Sequence, residues 1–494
     1  MEQPLDHLVR HCESEQLHLS GTIQPHGALI ALDTRSGIVT HASANLAAHT
    51  GTEARDAVGR PFGSLEWFPG DALTALPEQP GKTLALGNAI ETPAGLATGR
   101  LIRGTGAVIL ELEAADPRIR TILVHQYQTP LLSTPFDAQE VAAHARTLLE
   151  AFRAIAGYDR VMIYRFHEDW SGEVIAEIAE PSLAGYLGLR FPASDIPAIA
   201  RDLYMINPMR LIPDARAPAV PIIGEGAVPP DLTFSDLRGV SPVHLRYMVN
   251  MGVRASFSVP VRVTGRLWGL VACHHLEPKL PTPDERAACV CLTNAYALAL
   301  TSHFASRRLQ VFDSLERRLE GILDTLAQCA DPLDGVEKVS DRLIEAMAAQ
   351  GFAMAIGNDV VIAGVGPDLE GMAVLDDWFL NACKETVALT DHLEDLFPGH
   401  TSILASTSGM AAIKARSPRS GWVRFYWFRP AEPRTVAWAG NPEKPMVEDA
   451  GAVMLSPRRS FERWIETKSG YSRPWNFEEK MTAGKFRTTL LRWI

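Results

Sequence analysis

Paired cysteines, excess positive charge and long apolar runs are all missing from this sequence of 494 residues. Its six cysteines, Cys12, Cys273, Cys289, Cys291, Cys329 and Cys383, form neither a disulfide framework nor the two-by-two spacing of a zinc site, a usage that fits a reducing cytoplasm. A formal net charge of -11 removes the electrostatic footprint of a nucleic-acid binder and argues against an anionic membrane surface as partner. Residues 1–11 carry acids and no apolar core of secretory length, and no uninterrupted apolar run of about 18 residues follows, so a cytoplasmic protein is expected. Ser, His and Asp are present without a Gly-x-Ser-x-Gly elbow, which speaks against a hydrolase triad. There is no internal repeat and no low-complexity tract.

At about 150 residues per domain, the length calls for three cores. The first segment alternates short strand-like runs (28–32, 38–40) with turns, the pattern of a small α/β sensor domain. The second opens with an amphipathic stretch at 142–155, passes to the apolar run 158–166, and has a strand pair at 256–263 and 267–273 around Thr264-Gly265-Arg266. Between them lies a Pro-rich stretch, 181–242, of a length usual for functional or disordered loops. Proline is absent from 284 to 331, and Phe312, Leu315, Leu319, Ile322 and Leu326 fall at 3,4,3,4 spacing. The heptad seam predicts a long helix that pairs with its copy in a second chain, or that packs on its own domain. In the third segment 359–363 reads as a strand and 376–387 as a helix. Lys414 to Phe461 is dense in Arg, Pro and aromatics, including Trp422, Trp427 and Trp438, and reads as an exposed arm.

The chemistry concentrates in the second segment. In Phe191-Pro192-Ala193-Ser194-Asp195-Ile196-Pro197 two prolines bracket an aspartate and fix its presentation. Tyr204, Arg210 and Arg238 supply a phenol and two guanidiniums; Ser241, His244, Tyr247, Ser256, Ser258 and His274 add neutral donors. Guanidiniums grip carboxylates in bidentate fashion and hydroxyls complete the shell, so this set suits an apolar ligand bearing two carboxylates. Cys273-His274-His275 does not read as a metal site, because strand neighbours point to opposite faces. Cys12, an unpaired thiol upstream of Ile23-Gln24-Pro25-His26-Gly27, suggests a covalent anchor.

Cys12, the Ile23 to Gly27 motif, the Asp195 motif, Leu237-Arg238 through His244, Cys273-His274-His275 and Pro457-Arg458-Arg459-Ser460-Phe461 together resemble the bacteriophytochrome photosensory core, over essentially the whole chain. The resemblance implies an α+β fold of three sensor domains with antiparallel sheets: PAS with its N-terminal arm (1–125), GAF (126–308) and PHY (309–494). It also implies a long connecting helix, a figure-of-eight knot between PAS and GAF, and a PHY tongue at about 414–461. It implies a red/far-red photoreceptor whose biliverdin, joined by a thioether to Cys12, isomerises between rings C and D. Asp195 and His244 would face the pyrrole nitrogens, and His274 the D-ring carbonyl. Tyr204, Arg210 and Arg238 would hold one propionate, Ser256 and Ser258 the other. Tyr164, Phe191 and Tyr247 would line the D-ring cavity, with Ile23, Ile196 and Ser241 also in the binding set. Val243 stands where plant and cyanobacterial relatives carry the bilin-linking cysteine, a departure that favours Cys12. Asp195 would pair with Arg458 in one photostate and switch towards Ser460 in the other, with Trp438 and Pro457 also in the tongue. The expected partners are a second copy, in a parallel homodimer through the long helices, and a C-terminal output module of the histidine kinase type. The chain itself is expected to be no enzyme, since no ATP-binding Gly-rich stretch follows the PHY segment. A GAF-type sensor with a non-covalent ligand and the input half of a sensory kinase are the competing readings.

Overall fold

The computed structural model describes residues 15–69, 72–116, 124–224, 228–329, 331–417, 420–442, 446–449, 452–455 and 461–493. Two compact units divide them: one runs to His303 and takes in Ala437–Trp464, and the other comprises Phe304–Val436 and Ile465–Ile494.

Among the described residues the first unit holds two large sheets and a small hairpin, Met446–Asp449 with Ala452–Leu455. In the first, the antiparallel strands Val39–Ser43, Gly27–Asp33, Ala107–Ala114, Gly95–Arg103 and Thr83–Thr92 lie side by side in that order. Alternate residues bury both faces, as a period of two requires: Ala28, Ile30 and Leu32 pack with Leu46, Phe62 and Leu110. Leu29 and Ala31 pack instead with Leu232 and Leu237, from far along the chain. The same distant region adds a strand, Val220–Gly224, at the Val39 edge, and Thr22–Ile23 pairs with its outer side. Buried ion pairs join the same parts: Arg100 bonds Glu111 and Asp236 at 2.6 Å each, and Arg286 bonds Glu113 at 2.7 Å.

The second sheet runs Arg210–Ile212, Ala255–Val263, Arg266–His275, Arg160–Phe166, Gly172–Ala179 and Arg190–Phe191. The expected strand pair is present, and its turn takes left-handed backbone at Thr264 (φ 49°) and Gly265 (φ 74°), the mirror-image turn that suits the twist of a hairpin. The amphipathic stretch is the helix Ala138–Ala156, whose first turn is capped by Asp137 accepting from Glu140 N at 2.9 Å. It packs Leu148 and Phe152 on one face of this sheet, beside Leu292 and Tyr296 of the helix Pro283–Ala327. The Pro-rich stretch 181–242 is not a bare loop: it folds into the helix Ala198–Ile206 and the strands Arg210–Ile212 and Val220–Gly224.

In the second unit an antiparallel sheet of five strands is ordered Asp359–Gly364, Gly351–Ile356, Gly421–Arg429, Gly409–Ser417 and Val387–Thr390. Phe425 and Trp427 face one core, Tyr426 and Phe428 the other. The aromatic stretch from Lys414 therefore begins as two central strands and not as an exposed arm. With both faces buried, it shows aromatic density without alternation. Only from Ala437 does the chain join the first unit. The expected helix at 376–387 lies earlier, as Leu369–Asp377 with a π-helical turn Trp378–Ala382. Leu319, Ile322 and Leu326 of the heptad seam pack against Val336, Leu343 and Met347 of the same unit, so the seam is intramolecular from Leu319 onward. Phe312 stays 37 % exposed, with Leu309 at 66 %.

The segment Pro283–Leu326 is the one helix among the described residues long and apolar enough to cross a membrane, its most apolar window of 18 residues having a mean hydropathy of 1.2. Half of that apolar window is buried within the protein, and the packing of Leu292 and Tyr296 in the core accounts for its character.

Candidate functional site

Strand alternation decides which side chains of the second sheet face away from the helices. Phe257 and Val259 enter the helix-side core, so Ser256 and Ser258 line a cavity on the opposite face; Val271 and Cys273 likewise leave Ala272 and His274 to the cavity. Cys273, His274 and His275 accordingly diverge, with His275 Nδ1 turned to Asp159 Oδ2 at 2.8 Å. Met162 and Tyr164 project from the neighbouring strand. The Tyr164 ring lies over Gly172, where an added Cβ would stand 1.8 Å from its Cζ, so only glycine permits this placement.

The cavity gathers Tyr164, Phe191, Asp195, Ile196, Tyr204, Arg210, Arg238, Ser241, His244, Tyr247, Ser256, Ser258 and His274, together with Val243. Ile23 is not among its walls: it is fully buried and bridges Arg238 from behind. Cys12, Pro457, Arg458 and Ser460 lie outside the described residues. Glu15 and Leu17, the nearest described neighbours of Cys12, do line the cavity.

Asp195 closes a 3-10 turn, Ala193–Asp195, and its Oδ2 accepts the Tyr247 hydroxyl at 2.9 Å. His244 and Tyr247, one turn apart on the helix Pro242–Asn250, stack with ring centroids 6.0 Å apart. Phe461 sets its edge against Tyr247 at 5.2 Å. Trp438, 7 % exposed, bridges Arg190 in parallel, and Gly440 N donates to Glu462 O at 2.7 Å. Both ends of the 437–464 segment thus meet the unit that holds the cavity. Tyr164 and Phe191 form a tilted pair 5.8 Å apart, and Tyr186 meets Phe191 edge-on at 5.7 Å.

The electrostatics are lopsided. Arg210 Nη2 donates to the carbonyls of Arg238 (2.8 Å) and Gly239 (2.9 Å), and Arg238 Nη1 to those of Leu232 (3.1 Å) and Thr233 (3.0 Å). Neither guanidinium has a carboxylate partner among the described residues, and Arg210 Nη1 has no partner there at all. Burial, then the charge of Arg238, pushes Arg210 down to about 9, and burial lowers Arg238 as well. Burial, then Arg160 and His244, holds the His274 imidazole down at about 3, and its Nδ1 has no partner among the described residues. Burial raises the Tyr204 phenol. A neutral imidazole, hydroxyls, the Asp195 carboxylate and two guanidiniums without a directly bonded carboxylate among the described residues therefore face one apolar-walled space, and the guanidinium end favours an anionic group on a largely apolar ligand.

Sequence reasoning did not single out Arg262, which binds the end of the helix Ala198–Ile206 by donating to Tyr204 O (2.7 Å) and Asn207 O (2.5 Å) and so seats the Tyr204 turn. Met162, Leu270 and Ala272 were also missed as cavity walls. Extending the period of two from Tyr164 and His274 would have found all three.

A sheet with helices on one face and a cavity on the other, joined to a second sheet through exchanged segments, is the architecture of a multidomain sensor module. Residues 12–115 match the PAS fold, 141–300 the GAF domain and 315–494 the phytochrome region. The chain is 34% identical to a bacteriophytochrome of Pseudomonas aeruginosa, over 98% of this chain and 66% of that protein. It is 31% identical to a bacteriophytochrome of Xanthomonas campestris over 96% and 76%, and to cyanobacterial phytochrome B of Nostoc over 98% and 66%. It superposes on the crystal structure of the bacteriophytochrome RpBphP3 from R. palustris with a TM-score of 0.84 at 29% identity, covering 98% of this chain and 99% of that one. The wild-type photosensory core module of Stigmatella aurantiaca phytochrome gives 0.81 at 30% identity, covering 97% of each. The chain belongs to the phytochrome family and has the PAS, GAF and PHY order of its photosensory core. It spans about two thirds of the length of the first of these curated relatives.

Proposed function

We propose that this chain is a red/far-red light-sensing module that holds biliverdin in the cavity through a thioether to Cys12. When bound, the bilin supplies the photochemistry, isomerisation at the double bond between its rings C and D. The observation that carries the reading is the pair of buried guanidiniums, Arg210 and Arg238, facing the cavity without a directly bonded carboxylate among the described residues. Two propionates answer that need. Arg210, Arg238 and Tyr204 would hold one, and Ser256 and Ser258 the other. Asp195 and His244 would meet the pyrrole nitrogens, while neutral His274 is free to donate to the D-ring carbonyl. Tyr164, Phe191 and Tyr247 would wall that ring, Ile196 and Ser241 would complete the lining, and Ile23 would back Arg238. Glu15 lies at the cavity, and three residues of chain, at most ~11 Å, separate it from Cys12.

Further parts of the reading concern signalling. The contacts of Thr22–Ile23 with Val220–Pro221 and Arg238 support a figure-of-eight knot, and those of Trp438 and Phe461 support a tongue returning over the pocket, beginning nearer 437 than 414. Asp195 would exchange Arg458 for Ser460 on photoconversion. We read the domains as 1–125, 126–308 and 309–494, in a cytoplasmic protein without turnover chemistry of its own. Its partners would be a histidine-kinase output module and a second copy, paired through exposed helix residues such as Leu298 (63 %) and Leu309 (66 %).

The test is an absorption spectrum in darkness and after red and far-red illumination, with zinc-induced fluorescence of the denatured chain. Added biliverdin should give a band beyond the visible red and a fluorescent protein band that Cys12→Ser abolishes. No such absorption sinks the proposal; an unchanged Cys12→Ser protein returns the reading to a non-covalent sensor.

A further inference from the structure

Trp170 sits in left-handed backbone (φ 61°), a conformation costly for a bulky side chain. It lies in the turn between the strands Arg160–Phe166 and Gly172–Ala179, and local bonds hold it there. Asp169 Oδ1 accepts from Ser171 N (2.9 Å) and Oγ (2.6 Å), Trp170 N donates to His167 O (3.0 Å), and His167 N to Ser171 O (2.8 Å). The turn delivers the indole to two neighbours. On one side the guanidinium carbon of Arg201 stands 4.6 Å from the ring centroid. On the other, the indole meets Phe166 at 5.8 Å, Phe166 meets Tyr164 edge-on at 5.3 Å, and Tyr164 meets Phe191 at 5.8 Å. Arg201, in the helix Ala198–Ile206, reaches back so that its Nη1 donates to the carbonyl of Ile196 at 2.6 Å. Ile196 is the residue after Asp195.

We infer that Trp170 and Arg201 form a clasp that positions Asp195 and couples its carboxylate to the aromatic wall of Tyr164 and Phe191. Pro192 and Pro197 fix their own φ angles but not the plane of the Ile196 peptide, at φ -127° and ψ 85° outside the regular regions. The charged bond from Arg201 fixes that plane. The indole in turn fixes the guanidinium, because a cation over a ring face has a preferred depth and orientation. A displacement of the wall therefore reaches the Asp195 turn through Phe166, Trp170 and Arg201, and Arg201 acts as a positioning residue that itself touches no ligand.

This inference rests on the pocket being a bilin site, and its test separates the two. Arg201→Gln, Arg201→Lys, Trp170→Leu and the Arg201→Gln/Trp170→Leu double variant are prepared in the full chain. Biliverdin attachment, the dark absorption maximum, the fraction converted under saturating light and the thermal reversion rate are measured for each. Attachment and the dark maximum should match the parent chain. Arg201→Gln should change the reversion rate by about tenfold, the scale of one hydrogen bond from a charged donor, and Trp170→Leu by about threefold, the scale of an exposed cation–π contact. The double variant should be no worse than Arg201→Gln, since both remove one connection, and Arg201→Lys should recover most of the loss. Conversion and reversion within about twofold of the parent in both single variants overturn the clasp alone. So does an Arg201→Lys protein as impaired as Arg201→Gln, or loss of attachment in both Arg201→Gln and Trp170→Leu, which makes these residues folding elements. A parent chain that takes up no biliverdin overturns the pocket reading and the clasp with it.

Discussion

Arg210→Met should have opposite effects on the empty and the occupied pocket. The guanidinium carries its charge in a site that lowers it from 12.5 to about 9, a cost of roughly 5 kcal/mol at neutral pH. Its removal also loses the two bonds to Arg238 O and Gly239 O, roughly 1.5 kcal/mol each for a charged donor. The difference leaves the apoprotein more stable by roughly 2 kcal/mol. With a propionate in place the sign reverses, because it keeps Arg238 and Tyr204 but loses its second guanidinium, a cost of roughly 1.5–3 kcal/mol, or a dissociation constant raised by roughly one to two orders of magnitude. Urea denaturation of the apoprotein gives the first quantity. Equilibrium biliverdin titration in a Cys12→Ser background, where attachment cannot trap the ligand, gives the second. An apoprotein destabilised by more than about 1 kcal/mol, together with an affinity within about threefold of the parent, would refute the assignment of Arg210 as an anion receptor.

Three more outcomes are expected. His274 and His26 are both held by burial at about 3 against an ordinary 6.5, so between those values the unfolded chain binds a proton at each that the folded chain does not. Apoprotein stability should be fully present above pH 6.5 and fall by about 1.4 kcal/mol per pH unit for each imidazole as pH drops towards 3; His274→Gln should remove one of the two slopes, and an unchanged slope contradicts the burial argument. Leu319→Ala should cost about 3 kcal/mol in chemical denaturation without changing the sedimentation coefficient, whereas dissociation at intact stability would return the seam to an intermolecular role. In the second unit, Asp376 accepts Arg424 Nε at 2.9 Å and the Tyr426 hydroxyl at 2.6 Å. Because Arg424 is 2 % exposed, Asp376→Asn should cost roughly 3–5 kcal/mol in denaturation, and a loss under about 1 kcal/mol would show the pair to be solvated.

The pocket was legible because strands advertise their faces. With Ser256, Ser258 and His274 on adjacent strands, the period of two carries them to one side, and the two prolines around Asp195 mark a rigid turn by their spacing alone. Partner choice was not legible. The 3,4,3,4 spacing of Phe312 to Leu326 describes an apolar stripe equally suited to a second chain or to Val336 and Leu343, and only the tertiary packing decides. The strand Val220–Gly224 has the composition of a strand local to its own domain, and nothing in it states that its neighbour is Ser43. Trp170 and Arg201 escaped notice for a related reason: a positive φ at a tryptophan and a side chain reaching back to a backbone carbonyl leave no mark on periodicity or composition.

The strand Val220–Gly224 also imposes an order on synthesis. Thr22 lies opposite Pro221, so the edge of the first sheet waits until almost 200 further residues have been made, and its lower face stays uncovered until Leu232 and Leu237 arrive. From Ala114, where its last local strand ends, to Leu237, the ribosome at about 5–20 residues per second leaves that sheet incomplete for roughly 6–25 seconds, with Leu29 and Ala31 exposed. The N-terminal domain cannot mature as an independent unit, and the interval is one in which a holding chaperone has a definite surface to cover. Excising residues 1–125 for separate expression should yield an aggregating fragment, while a fragment extended past Leu237 carries its own missing strand.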